Sequence, residues 1–536
     1  MARCPVPGVP DGRYVPQLRL SINSRGLSVY IVLALFLAGC AATRPVTKAT
    51  PSYWPTDGWR KTTPERQGID SRVLAAGVRE IRERSLPVHS LLIIRGGNIV
   101  LDAYFYPYSK GFPHDIASVT KSVTSALVGL AIERGDLEGV EDRMSSFFPE
   151  LPGSRSGRGK EAITIEHLLT MTSGMNCGFA PRGALWWQLE AALLEMLESK
   201  DFIQFALDLP MKKEPGSEFA YCSVNFHLLS AILTRATGMS ARDFAMRQLF
   251  EPLGIRDIVW PADPAGISHG WGDLRMHPAD MAKIGYLYGN GGRWEGRQLL
   301  SSSWIEQSTK RHADVPKGFF DYGYGWWVPR GGPAGPFDAH GRGGQSIVVR
   351  PEKDLVVVVT GAGYDGDVLV NLLRPAFKSE RALPDDPEGY ANLAEAVAAA
   401  SLPPEPKPVP ALPATARNVS GKNYRLDPNP LGIETVAVRF GGTSEAAMRF
   451  VRKGTAFEMP VGLDGVPRVS KNSPTSIPVA LKGAWKGDDT FAIEYVETAG
   501  PNNFVLTFLF KENGMTVRIA EGPNVISEAA GRRIGE

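Results

Sequence analysis

Ser118 and Lys121 stand three residues apart in "IASVTKSVTSALVGLAIERG", residues 116–135. A hydroxyl and an amine at i and i+3 share one side of a helix, so the pair could act as nucleophile and base. Val123, Ala126, Leu127, Leu130 and Ala131 recur at helical spacing, and Gly135 supplies a stop. The other side, with Ser118, Lys121, Ser122 and Ser125, is short-chained, and its one Lys has no acidic partner within a turn. That pattern predicts a helix buried on both sides with a polar seam. It also puts Ser118 at the helix start, where free N–H groups and the dipole favour developing negative charge. Taken alone, the pair reads first as a capping Ser beside a snorkelling Lys.

Two other stretches carry chemistry. In "PGSEFAYCSVNFHLLSAILTRATG", Tyr221 and Ser223 fall on the loop before a helix. A tyrosine becomes a useful base only when a cation favours its phenolate, and Lys121 could be that cation. In "FDAHGRGGQSIVVRP", His340 and Arg342 sit among Gly341, Gly343 and Gly344 at the start of a strand. Glycines there permit close backbone approach and a second oxyanion N–H beside that of Ser118. The eight histidines show no metal-ligand spacing, and no cofactor or metal is expected.

These residues need elements to hold them. "HSLLIIRGGNIVLDAYF" predicts a hairpin, and "YGYGWWV", "GQSIVVRP" and "DLVVVVTG" predict three later strands, with mostly helix between. Strands, helices, then strands give an α+β domain over residues 64–381, its sheet closed by both ends of the segment. Residues 382–415 are Pro- and Ala-rich and read as a linker with one short helix. Residues 416–536 hold short strands and Gly/Asn turns, an all-β domain that is a sandwich or a barrel. Trp186, Trp187 and Trp271 lie in irregular stretches and could wall a pocket or simply pack in a core.

In combination the three motifs resemble the penicillin-recognising serine hydrolases: class C β-lactamases, D,D-peptidases, family VIII esterases and 6-aminohexanoate-dimer hydrolases. That family carries S-x-x-K, then Y-x-N or Y-x-S, then K-T-G or a substitute such as H-x-G, in this order. "ITIEHLLTMTSGM", "EPLGIRD" and "GWGDLRMHPADMAKIGYLY" extend the resemblance across residues 64–381. It implies a β-lactamase/transpeptidase-like fold, an antiparallel sheet flanked by helices, with Ser118 as nucleophile. Lys121 and Tyr221 would share the proton work, with Tyr221, held near phenolate by Lys121, taking the Ser118 proton and passing it to the leaving group. Ser223 would orient Lys121 or relay the proton, and His340, Gly341 and Gly343 would border the oxyanion. Tyr-Cys-Ser and the missing Lys of K-T-G point toward the esterase and aminohexanoate-hydrolase branches. The expected substrate is a small ester or amide. The rivals are a D,D-peptidase or β-lactamase and a catalytically silent envelope binding protein.

A net charge of +2 argues for neither nucleic acid nor an acidic partner. The N-terminal order of basic residues, a short apolar run "LSVYIVLALFLAG" and Cys40 resembles a bacterial lipoprotein signal. Residues 1–40 are therefore expected to be a signal peptide ending at a lipidated Cys40, and residues 41–63 a tether. The membrane contact would be that lipid, on the periplasmic side of the cell envelope. Of the other cysteines, Cys4 lies in the leader, while Cys177 and Cys222 could pair or stand as two buried thiols.

Overall fold

The "HSLLIIRGGNIVLDAYF" run folds as the expected hairpin. Strand β1 (Val88–Arg95) pairs antiparallel with β2 (Asn98–Tyr104), and Arg95 faces Asn98 across a two-residue turn. Gly96 and Gly97 have φ of 56° and 72°, the double positive φ that a type I′ hairpin requires. This computed structural model describes residues 51–535 apart from 52, 150–158, 179–189, 332–334, 430, 513 and 523. The signal segment, Cys4, Cys40, Trp186 and Trp187 lie outside the described residues.

Five later strands complete a seven-stranded sheet: β3 (Phe320–Tyr322), β4 (Trp327–Pro329), β5 (Phe337–Gly341), β6 (Gln345–Arg350) and β7 (Leu355–Gly361). The order is β2-β1-β7-β6-β5-β4-β3, and neighbours run antiparallel. Early and late strands meet at β1 and β7, where Leu91 pairs with Val359 and Ile94 with Val356. Alternate side chains enter two cores: Leu92, Ile94, Val356 and Val358 on one face, Leu91, Ile93, Val357 and Val359 on the other. Both faces are covered, which is why "DLVVVVT" shows no polar alternation.

Helix α1 (Ser71–Glu83) covers the second face. Beyond it lie α2 (Thr120–Arg134) and α3 (Ser223–Thr237), packed together on the first face's side, and α4 (Pro278–Gly289) lies directly on β6 and β7. The α4 contact is close: a Cβ on Gly285 would stand 2.7 Å from Ile347 and 2.8 Å from Val356. Within the stretch read as a linker, α5 (Pro387–Ala400) is a fourteen-residue helix laid against α1. Leu393, Ala396 and Ala400 are buried in the same core, and Arg72 of α1 meets Asp386 at 2.6 Å and Glu388 at 2.8 Å. Residues 403–408 stay exposed and irregular.

The C-terminal strands form a barrel. From Tyr424–Leu426 to Asn524–Arg533 the chain meanders antiparallel apart from one parallel contact, Gly462 with Lys482, and the barrel closes where the first and last strands pair, Tyr424 with Arg533. Alternation predicts the inward set: Phe504, Leu506, Phe508 and Phe510 of one strand all enter the interior core. The barrel docks on the sheet domain beside its third motif. The Asp115 amide donates to the Ala499 carbonyl at 2.9 Å, and Arg342 donates to Asn502 at 2.7 Å.

Candidate active site

The turn Ala117–Val119 delivers Ser118 to the start of α2. Ala117 takes a left-handed φ of 47°, unusual for a residue with a Cβ, and such strain persists only where neighbours enforce it. Here the enforcing groups are explicit. The Ala117 amide donates to Asp115 Oδ1 at 2.8 Å, and Thr120 Oγ1 donates to the Ala117 carbonyl at 2.7 Å. Burial first, then the neighbouring Asp273, push the Asp115 carboxyl up to about 7. Gly341 closes the other side, since a Cβ on it would lie 2.6 Å from the Ile116 carbonyl and 3.0 Å from the Ser118 nitrogen.

Polar side chains of α2 bond to carbonyls of other segments, whereas Ser125 Oγ of the seam is buried without a partner among the described residues. Ser122 Oγ donates to Gly325 O at 2.7 Å and Thr124 Oγ1 to Gly270 O at 2.9 Å. Lys121 Nζ donates to Trp271 O at 2.8 Å and to Ser118 Oγ at 2.9 Å. Ser118 is half-buried and reachable from solvent, whereas Lys121 is 1 % exposed. Burial lowers the Lys121 ammonium from 10.5 to about 8, with the Glu190 and Asp273 carboxylates pulling the other way. A buried amine near neutrality, bonded to a reachable hydroxyl, can accept that hydroxyl's proton.

Tyr221 joins them from the loop before α3. Lys121 Nζ stands 5.0 Å from the centroid of the Tyr221 ring, and the ring stacks on Trp327 at 6.2 Å and 15°. Ser223 is buried at the first turn of α3, and its amide donates to Glu190 Oε1 at 2.7 Å, so it holds one of the two carboxylates that act on Lys121. Asn225 turns aside: its Oδ1 accepts from Ser173 Oγ at 2.9 Å.

The third motif divides. Gly341 adjoins Ser118, but His340 lies 3.1 Å from Ser346 Oγ and 3.7 Å from Asp338, with its ring toward Phe320 and Trp327. Gly343, with φ of 80°, belongs to the barrel junction, where a Cβ would meet Pro501 at 2.7 Å. Cys177 and Cys222 form a disulfide, Cα–Cα 5.6 Å, which ties the Tyr221 loop to the segment after "MTSGM". Among the described residues no cluster of His, Cys, Asp and Glu could hold a metal ion.

Reading the sequence missed Glu190, Asp273, Asp115 and Trp327. Asp273 sits in "GWGDL" with a positive φ of 63°, yet neither its spacing nor its type sets it apart. Trp271 contributes its carbonyl, an atom that no side-chain pattern reports.

A family model described as Beta-lactamase matches residues 72–372. The chain belongs to that family. Its members are serine hydrolases, and the Beta-lactamase match covers the sheet domain through β7. The 6-aminohexanoate-dimer hydrolase of Paenarthrobacter ureafaciens is 24% identical over 328 residues, 57% of this chain and 81% of that enzyme. Esterase EstB of Burkholderia gladioli is 28% identical over 180 residues, 31% of this chain and 43% of the esterase, so that match spans less than half of its length. A solved Bacillus anthracis structure named for the dimer-hydrolase activity has a TM-score of 0.51 at 20% identity, covering 62% of this chain and 89% of its own. At that identity the likeness concerns the fold alone.

Proposed function

We propose that this serine hydrolase cleaves a small ester or amide through an acyl intermediate on Ser118. The observation that carries the reading is the 2.9 Å bond between a reachable hydroxyl and a buried amine poised near pH 8. In its neutral form Lys121 Nζ takes the Ser118 proton as Oγ bonds to the carbonyl carbon. The carbonyl electron pair moves to oxygen, held by the Ser118 amide and the backbone beside Gly341. Collapse breaks the bond to the leaving alcohol or amine, which receives the proton, and Tyr221 shares that transfer from its place against Lys121. Water then repeats the sequence on the acyl carbon and frees Ser118.

The esterase and amidase side is favoured over β-lactams by the third motif. It has no Lys, and Arg342, the nearest cation in sequence, bonds Asn502 of the barrel. A panel of p-nitrophenyl esters, nitrocefin and D-Ala-D-Ala peptides, with Ser118→Ala as control, tests this. Ester turnover lost in the variant supports it, and preferential nitrocefin or peptide turnover overturns it.

The same reading places the enzyme on the periplasmic side of the envelope, anchored through lipid on Cys40. Its support is the order of basic, apolar and small residues ahead of that cysteine. Among the described residues no helix is long and apolar enough to cross a membrane. Metabolic labelling with a palmitate analogue that fails to mark the wild-type chain would remove the anchor. Labelling lost in Cys40→Ala would support it.

A further inference from the structure

The barrel is not solid. One end is closed by aromatic side chains, with Phe440 and Phe491 at 5.0 Å, Trp485 and Phe491 at 5.3 Å, and Trp485 and Phe510 at 5.9 Å. The other end holds a cavity of about 140 Å³. Its wall is apolar, formed mainly by Met448, Phe450, Leu506, Phe508 and Val517. Evolution normally fills a core to crystal-like density, so an unfilled space of this size is a feature to explain. An apolar cavity of about 150 Å³ is large enough to take up benzene.

Polar groups gather only at the cavity's outer end. Glu497 is buried there and already satisfied: Thr475 Oγ1 donates to it at 3.2 Å and Asn502 Nδ2 at 2.7 Å. Thr475 and Asn502 in turn receive Arg275 and Arg342 of the hydrolase domain, at 3.1 Å and 2.7 Å, which fixes this rim against that domain. Arg452 and Tyr495 differ. The Arg452 Nε donates to the Leu431 carbonyl at 2.8 Å, but among the described residues no carboxylate pairs with its guanidinium. Tyr495 borders the same space, and among the described residues its hydroxyl has no hydrogen-bond partner.

We propose that the barrel is a second binding site, for a small carboxylate with a hydrocarbon body of about six to eight carbons, its head on Arg452 and Tyr495. The apolar wall takes the body, and the guanidinium and phenol take the head. Nothing in this assignment depends on the Ser118 chemistry.

Titration calorimetry on the full chain with octanoate and 1-octanol tests it. Saturable one-site binding of octanoate is expected, and Ser118→Ala should bind it equally well. Leu506→Trp, which fills the space, should weaken octanoate by about tenfold or more. Arg452→Gln should weaken octanoate by about tenfold or more while leaving 1-octanol within about twofold, the loss of one charge-assisted contact. Met448→Ala, which enlarges the space, should shift preference toward decanoate, and this variant decides the matter if Leu506→Trp does not melt cooperatively. Absence of octanoate binding, binding unaffected by Leu506→Trp, or an unshifted chain preference in Met448→Ala overturns the site. Equal loss of acid and alcohol in Arg452→Gln overturns the head-group assignment.

Discussion

A side chain on Gly341 would collide with the backbone that carries Ser118, 2.6 Å from the Ile116 carbonyl and 3.0 Å from the Ser118 amide. Gly341 itself has φ −133° and ψ 157°, extended backbone that any residue adopts. What excludes a side chain is therefore closeness alone. Gly341→Ala should push β5 away from the oxyanion position and lower kcat by about a hundredfold. The same overpacking against backbone should lower the melting temperature by a few degrees. Steady-state kinetics and a thermal melt check both halves, and wild-type kcat would refute the placement.

Lys121 gives a pH signature with a definite sign. The amine titrates at about 8 in the fold against 10.5 in the unfolded chain. If its neutral form accepts the Ser118 proton, kcat/KM rises through pH 8 and levels above it. Glu190→Gln removes a charge that favours the ammonium, so the rising limb should move to lower pH. A limb that stays in place would contradict this.

The same group should destabilise the enzyme. Below pH 8 both states keep the proton and the fold bears the full penalty of a buried cation. Between 8 and 10.5 the folded form has released it, so this group's contribution to stability improves as pH rises. Lys121→Met should abolish turnover and gain about 1–3 kcal/mol at pH 7, a gain that shrinks toward pH 10. Denaturant melts at the two pH values read it directly.

Tyr221 offers Lys121 a ring face and carries a hydroxyl, and two variants separate them. Tyr221→Phe keeps the ring and the stack on Trp327, so the midpoint near pH 8 should hold while kcat falls by about 10²-fold or more. Tyr221→Ala should also move that midpoint. Near wild-type kcat in the Phe variant would confine Tyr221 to a structural part.

The Cys177–Cys222 bond closes a loop of 45 residues next to Tyr221. In the chain-entropy view such a crosslink stabilises by about 4 kcal/mol. Cys222→Ser should melt several degrees lower, and dithiothreitol should lower the wild-type melt toward the variant's without changing the variant.

The sheet domain was legible because its signals are local. Gly96-Gly97 states a hairpin turn, and the seam of α2 betrays a helix with no solvent face. Residue type also exposed Ser118, Lys121 and Tyr221, whose order along the chain matches a motif order and which the fold brings together. What stayed hidden acts through position. Glu190 and Asp273 matter by their distance from Lys121, and Trp271 by a carbonyl that every residue owns. The helix Pro387–Ala400 answers to the short helix expected there, started by Asp386 and Pro387, but only burial of Leu393 and Ala396 against α1 makes it part of the sheet domain's core rather than of a linker. Barrel closure rests on the pairing of its first and last strands, Tyr424 with Arg533, and on the parallel contact of Gly462 with Lys482, which no strand pattern announces.

The most direct test is the mass of the acyl intermediate. The enzyme is quenched with acid during turnover of a slowly deacylating p-nitrophenyl ester and digested with trypsin. The account predicts the acyl increment on the peptide "GFPHDIASVTK", at Ser118, and none in Ser118→Ala. Turnover by that variant at the wild-type rate, or an increment on any other residue, would contradict it.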